Sequence, residues 1–167
     1  SSRGKVLYNK ESLSAATEWI EDIETGHGTD VYASLREVLP DPDVEDHVPD
    51  YIFLFSDDMV ENEEEVIEFV RLNIGDSRLF TVGMDTEVNS YFINKVAEVG
   101  NGMAEFVEEG QRVDDIIMRH FHRAHNPQLD VTSIDWGKMQ IEKTYPGTIS
   151  YLYDREPFTI FATVIGE

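Results

Sequence analysis

The stretch YIFLFSDDMVEN, residues 51–62, decides how the rest of the chain is read. Five apolar or aromatic residues, Tyr51 to Phe55, run directly into Ser56, Asp57 and Asp58. A run this short bounded by polar residues predicts a strand rather than a helix, and its continuous apolar character predicts burial on both faces, as in a parallel sheet. In open α/β sheets ligands bind outside the carboxyl ends of the strands, so Asp57 and Asp58 stand where a site is expected. Acidic residues also leave strands simply because loops are solvated, and that reading stands beside the first.

Outward from this strand, the spacing of apolar residues alternates between helix and strand. Ser12 to Ile23 places Leu13, Ala16, Ile20 and Ile23 on one face, which predicts an amphipathic helix packed on a sheet. Glycines at 26 and 28 break it; Thr29 and Asp30 then offer caps for a helix whose inward positions are Val31, Leu35 and Val38. Residues 40–49 hold three prolines and several acids without periodicity, a surface connection. Beyond the central strand, Asn62 and Glu65 resemble a capping arrangement for a helix carrying Val66, Ile67, Val70 and Ile74 inward, stopped by Gly75.

A strand over 78–84, a helix over 88–99 burying Phe92, Val96 and Val99, and a short strand over 103–107 follow. A last helix over 111–122 directs Val113, Ile116, Ile117 and Phe121 inward. This alternation predicts an α/β fold, a doubly wound and mostly parallel sheet with flanking helices. After about residue 125 the helical period is lost, and 129–136, 138–145 and 158–165 read as β-rich segments. The expected organisation is one α/β unit over 1–124 and a β-rich module over 125–167, its last strand cut close to the end of the chain.

The 167 residues include 34 acidic against 13 basic ones, a formal net charge of −21. Such a surface repels nucleic acid and anionic membranes and favours a cation or a cationic partner; acidity also serves solubility alone. With 41% hydrophobic residues the chain can bury a core, and without cysteine it has neither disulfides nor thiolate metal sites. No stretch is long enough for a membrane-spanning helix.

Thr29 and Asp57 are the candidate metal-binding pair, both at loops expected on one sheet edge. A hydroxyl and a carboxylate suit a hard cation, Mg²⁺, Mn²⁺ or Ca²⁺, with Asp30, Ser56 and Asp58 as the nearest further oxygen donors. Each has a structural alternative, as a helix cap or a turn bond. The acids at 61, 63, 64, 65 and 68 lie about a helix N-terminus and read as a solvated face. His120, His122 and His125 invite a zinc reading, but helical spacing spreads 120 and 122 apart. His27, between two glycines near the expected crevice, could touch a ligand. No nucleophile motif, phosphate loop or H-E-x-x-H is present, so no enzymatic activity is expected. A magnesium-dependent phosphoryl-transfer domain using Asp57 and Asp58 remains the competing reading, weakened because Asp85 and Glu108, not a lysine, follow the next two strands. A structural fragment with no occupied site is the third.

GHGTDVYASLREVL (26–39), YIFLFSDDMVENEEEVIEFV (51–70) and SRLFTVGMDTEVNSYFINKVAEVGNGMAEFV (77–107), in this order, resemble the second half of a von Willebrand factor type A domain. The resemblance is to the bacterial kind related to inter-alpha-trypsin inhibitor heavy chains, covers most of residues 5–124, and is most specific over 79–107. It implies a divalent-cation-dependent adhesion module, completed by an acidic side chain of a protein partner, on a cell surface or otherwise outside the cytoplasm. Thr29 corresponds to the family's metal-binding threonine and Asp57 to its aspartate, with Ser56-Asp57-Asp58 where T-D-G is usual. The family's D-x-S-x-S motif is absent, and the strand that carries it neighbours the strand equivalent to 51–56. The resemblance therefore implies an apolar edge at 51–56, to be covered by a missing N-terminal half or by a second chain.

Overall fold

The computed structural model describes residues 6–24, 30–39, 49–57, 59–85, 88–126, 128–129, 133–147 and 151–165. The elements are α1 (Lys10–Glu21), α2 (Val31–Val38), β1 (Tyr51–Ser56), α3 (Glu63–Asn73), β2 (Arg78–Gly83), α4 (Ser90–Val99), β3 (Ala104–Phe106) and α5 (Val113–His125). Four short strands follow: β4 (Gln128–Leu129), β5 (Ile141–Tyr145), β6 (Leu152–Tyr153) and β7 (Phe161–Val164).

β1, β2 and β3 form a parallel sheet in that order, with Tyr51 opposite Arg78 and Ser56 opposite Gly83. The helices between them follow from their sequences. Asp30 caps α2 by accepting from the Ala33 N–H at 2.9 Å, and Asn89 caps α4 by accepting from the Tyr91 N–H at 3.0 Å. Past the end of α3, Gly75 adopts φ +51°, the left-handed conformation that ends helices at little cost for glycine. The Asn62 side chain does not cap α3; its amide donates to Glu65 at 3.3 Å instead.

Alternate strand residues face opposite ways, which gives the sheet two different faces. Ile52, Leu54, Leu79, Ala104 and Phe106 pack toward α2, α3 and α4, where Val66, Val70, Phe92 and Val96 are buried. Each such full burial contributes about 1.5–3 kcal/mol. On this face the buried Thr81 hydroxyl donates to the Ile93 carbonyl at 2.9 Å, so its polarity is satisfied. The other face carries Phe53 and Phe80, stacked at 5.6 Å between ring centres, beneath α5. Helices on both faces of a parallel sheet make this the expected doubly wound α/β fold.

Several expectations are corrected. β1 is not buried on both faces: it is an edge strand, with Tyr51 and Phe55 exposed, because among the described residues it pairs with β2 alone. Helix α1 forms where predicted, with a reciprocal Asn9–Ser12 capping box, but none of its residues is buried and Ile20 is 62% exposed. Val38 is also exposed, since the two inward positions of the short α2 are Val31 and Leu35. On α5 the inward residues are Ile116, His120, Arg123 and Ala124, not Val113 and Phe121, which are exposed. Phe121 still stacks on Phe53 at 5.8 Å, at the uncovered margin of the sheet.

The segment after residue 125 forms two small antiparallel pairs, β4 with β6 and β5 with β7; residues 133–136 are not strand. It is docked on the sheet. Tyr153 is buried with Phe80 and Ala124, and the Tyr151 hydroxyl donates to Asn101 Oδ1 at 2.8 Å. Asn101 itself has φ +57° and its side-chain amide donates to the carbonyls of Gly75 at 3.0 Å and Ser77 at 3.3 Å. One residue thereby joins the start of β2, the entry to β3 and the C-terminal segment.

Candidate functional site

The carboxyl ends of the three strands lie on one edge and are tied together by the backbone. The Met84 N–H donates to the Ser56 carbonyl at 2.9 Å and the Val107 N–H to the Gly83 carbonyl at 2.8 Å. Asp57, Asp85 and Glu108 leave this edge, all exposed. Ser56 is buried at the last position of β1, so Asp57 is the first residue to emerge into solvent. An exposed carboxylate fixed to the end of a hydrogen-bonded strand is a well-placed oxygen donor for a hard cation.

Thr29 and Asp58, like His27, lie outside the described residues. Asp30 is placed as the α2 cap. Among the described residues no three His, Asp or Glu side chains are grouped to hold a metal. His120 is fully buried while His122 and His125 are exposed, so α5 separates the histidines as its period requires.

Beyond β1 the chain shapes an acidic cleft of about 730 Å³, lined by residues 59–65 and Asn89. From sequence its glutamates read as a solvated face, and the structure adds one constraint. The Asn89 amide donates to both Glu63 oxygens, at 2.9 and 2.7 Å, joining the N-termini of α3 and α4. Glu63 is therefore held by a helix cap, with its charge placed where both helix dipoles favour it.

A second polar cluster lies on the α5 face. Glu105 of β3 binds Arg119, with Nε 2.9 Å from Oε2, and Arg123. Arg123 is 7% exposed and continues to Glu156, with Nε 2.6 Å from Oε1 and Nη2 3.1 Å from Oε2, while its guanidinium lies 5.8 Å from the Tyr153 ring centre. Burial acts to raise the Glu105 carboxyl pKa, but the two arginines outweigh it and hold it below the ordinary value. His120 Nδ1 lies 3.1 Å from Arg123 Nη1. Burial first, and Arg123 second, push His120 down to about 4, so it is neutral and Nδ1 accepts from the guanidinium. Tyr153 is pushed up to about 12, mainly by burial. These partners come from β3, α5 and the segment after β6, a convergence invisible to local spacing.

Residues 2–106 match the family description "von Willebrand factor type A domain". A von Willebrand factor A domain-containing protein of Dictyostelium discoideum is 30% identical over 93% of this chain, and a second from that organism is 25% identical over 94%. Von Willebrand factor A domain-containing protein 5B1 of Mus musculus is 30% identical over 78% of the chain. The fold, the strand order and these matches define the class: a doubly wound α/β protein with a parallel sheet and flanking helices. The chain belongs to the von Willebrand factor type A domain family, whose members are generally protein-interaction modules. It spans 8%, 17% and 11% of the lengths of these three relatives.

Proposed function

We propose that this chain supplies part of a divalent-cation-dependent protein-binding site, with Asp57 and Thr29 as metal ligands and an acidic side chain of the partner protein completing the coordination. It acts as a binding module and not as an enzyme. The observation that carries this reading is the exposed Asp57 carboxylate, set immediately beyond buried Ser56 at the end of β1. The donors are oxygens, which fit Mg²⁺, Mn²⁺ or Ca²⁺ and would serve to fix the partner's carboxylate.

The open side of β1 supports the second half of the proposal. A further strand pairing there, from a preceding segment of a longer protein or from a second chain, would end beside Asp57 and bring the remaining ligands. Exposed Tyr51, Phe55 and Phe121 give such a segment an apolar face to cover. The subtype related to inter-alpha-trypsin inhibitor heavy chains, the division into an A-domain part over 1–124 and a β-rich module over 125–167, and a location at the cell surface belong to the same reading. Similarity reaching 93–94% of the chain runs past the A-domain match, so the relatives share the segment after residue 106 as well.

Mn²⁺ added to the chain is expected to broaden the amide signals of Ser56 and Asp57 selectively, and Asp57→Ala is expected to weaken Mn²⁺ binding by about tenfold or more. Broadening spread evenly over the acidic surface, with Asp57→Ala without effect, would remove the metal-dependent reading. Stable labelling of Asp57 by acetyl phosphate would instead favour phosphoryl transfer through Asp57 and Asp58.

A further inference from the structure

We propose that the outer edge of β3, with the cleft beside it, binds an extended basic peptide as an added strand. The geometry starts from the backbone. The Thr81 N–H donates to the Met103 carbonyl at 3.1 Å and the Val107 N–H to the Gly83 carbonyl at 2.8 Å. With Thr81 opposite Ala104 and Gly83 opposite Phe106, the residues of β3 that bond to β2 are therefore the odd-numbered ones. The N–H and C=O groups of Ala104 and Phe106 point away from β2, and among the described residues nothing pairs with them. An open edge of this kind takes another backbone in extended conformation.

The surroundings give that backbone a seat. A cleft of about 750 Å³ runs past Gly102, Met103 and Ala104, walled on one side by α4 and on the other by Pro146, Tyr151 and Phe158. Its walls come from opposite faces of the sheet, so it straddles the β3 edge. Alternate side chains of an added strand would enter between α4 and the aromatic wall, while backbone groups meet Ala104 and Phe106. Glu98 is the charged residue of the lining, and it forms an exposed pair with Lys95 at 2.8 Å. With a net charge of −21 on the chain, lysine or arginine on the outward positions of the peptide is favoured and acidic residues are disfavoured. This proposal is independent of the metal site.

The test uses the 167-residue chain and the peptide acetyl-Lys-Val-Lys-Phe-Lys-Val-amide, beside an analogue N-methylated at every residue. The two carry the same charges and side chains, but the second cannot complete a ladder. Binding of the first is expected to slow hydrogen exchange of the Ala104 and Phe106 amides by about tenfold, and the methylated analogue is expected to bind at least about tenfold more weakly. Gly147→Trp is expected to block the cleft; among the described residues other than its chain neighbours, a Cβ there meets nothing nearer than the Thr144 carbonyl at 4.0 Å, and an unchanged thermal melt checks that the variant is folded. Equal binding of both peptides, protection on β1 in place of Ala104 and Phe106, or full binding by G147W would each overturn the proposal.

Discussion

Replacing Arg123 by alanine is expected to lower the free energy of unfolding by about 3–5 kcal/mol, measured by urea denaturation at pH 7. The guanidinium is 7% exposed and holds Glu105 and Glu156 together, with Nε 2.6 Å from Glu156 Oε1 and Nη1 bonded to Glu105. Truncation strips Glu156 of its cation and removes the donor facing His120 Nδ1, while Arg119 still neutralises Glu105. The cost is that of burying polar groups without partners, more than that of losing one ion pair. Domains of this size are stable by about 5–15 kcal/mol in total, so the variant would sit near the limit of folding. Glu156→Gln is expected to cost less, because that carboxylate is partly exposed and its amide can still accept from Arg123. A loss below about 1 kcal/mol for R123A would show that water replaces the guanidinium, and that the cluster is not a clasp.

Acidification from pH 6.5 to about 4 is expected to remove about 3 kcal/mol of stability through His120 alone. Its folded pKa is depressed from 6.5 to about 4, so across this window the unfolded chain binds the extra proton. Stability therefore rises with pH, is fully present above 6.5, and falls as pH drops toward 4. The physical cause is burial reinforced by Arg123: a second cation 3.1 Å from the guanidinium has no water to disperse its charge. His120→Gln should flatten the stability curve between these limits. Glu105 acts in a lower window: its depressed pKa contributes stability above the ordinary carboxylate value of 4.5, lost as pH falls through its folded pKa. An unchanged slope between pH 6.5 and 4 in H120Q would mean that carboxylates outside the cluster govern the acid response.

The sheet and the helices that flank it were legible because their signals are local. Val66, Ile67 and Val70 repeat at helical spacing, Gly75 stops α3, and the apolar runs at 51–55 and 79–82 are too short for helices. Exposure was less legible, since it depends on neighbours. A continuous apolar run predicts a strand covered on both sides, yet Tyr51 and Phe55 are exposed on an edge. The stripe of α1 likewise predicts packing on the sheet, and none of it is buried. Periodicity misled most on α5, where hydrophobicity favoured Phe121 over His120 and Arg123. Polar residues can take inward positions there because Glu105 and Glu156, 18 and 33 residues from Arg123, meet it in space. Of the candidate metal pair, Asp57 is placed at the strand end as its sequence position indicated, while Thr29 lies outside the described residues.

Asn101 and Gly102 form the dipeptide most prone to spontaneous deamidation, which begins when the glycine nitrogen attacks the side-chain amide. Here that nitrogen is engaged, donating to the Ala97 carbonyl at 2.9 Å, and the amide is held by the Gly75 and Ser77 carbonyls. The folded chain thus holds both reacting groups away from that reaction. Loss of ammonia to a cyclic imide, once local opening allows it, followed by hydrolysis to aspartate or isoaspartate, would set a carboxylate against those two carbonyls and make the change self-reinforcing. Peptide mapping of aged samples should show deamidation at this site rising in step with unfolding, and the junction of sheet and C-terminal segment would keep a chemical record of how often it has come apart.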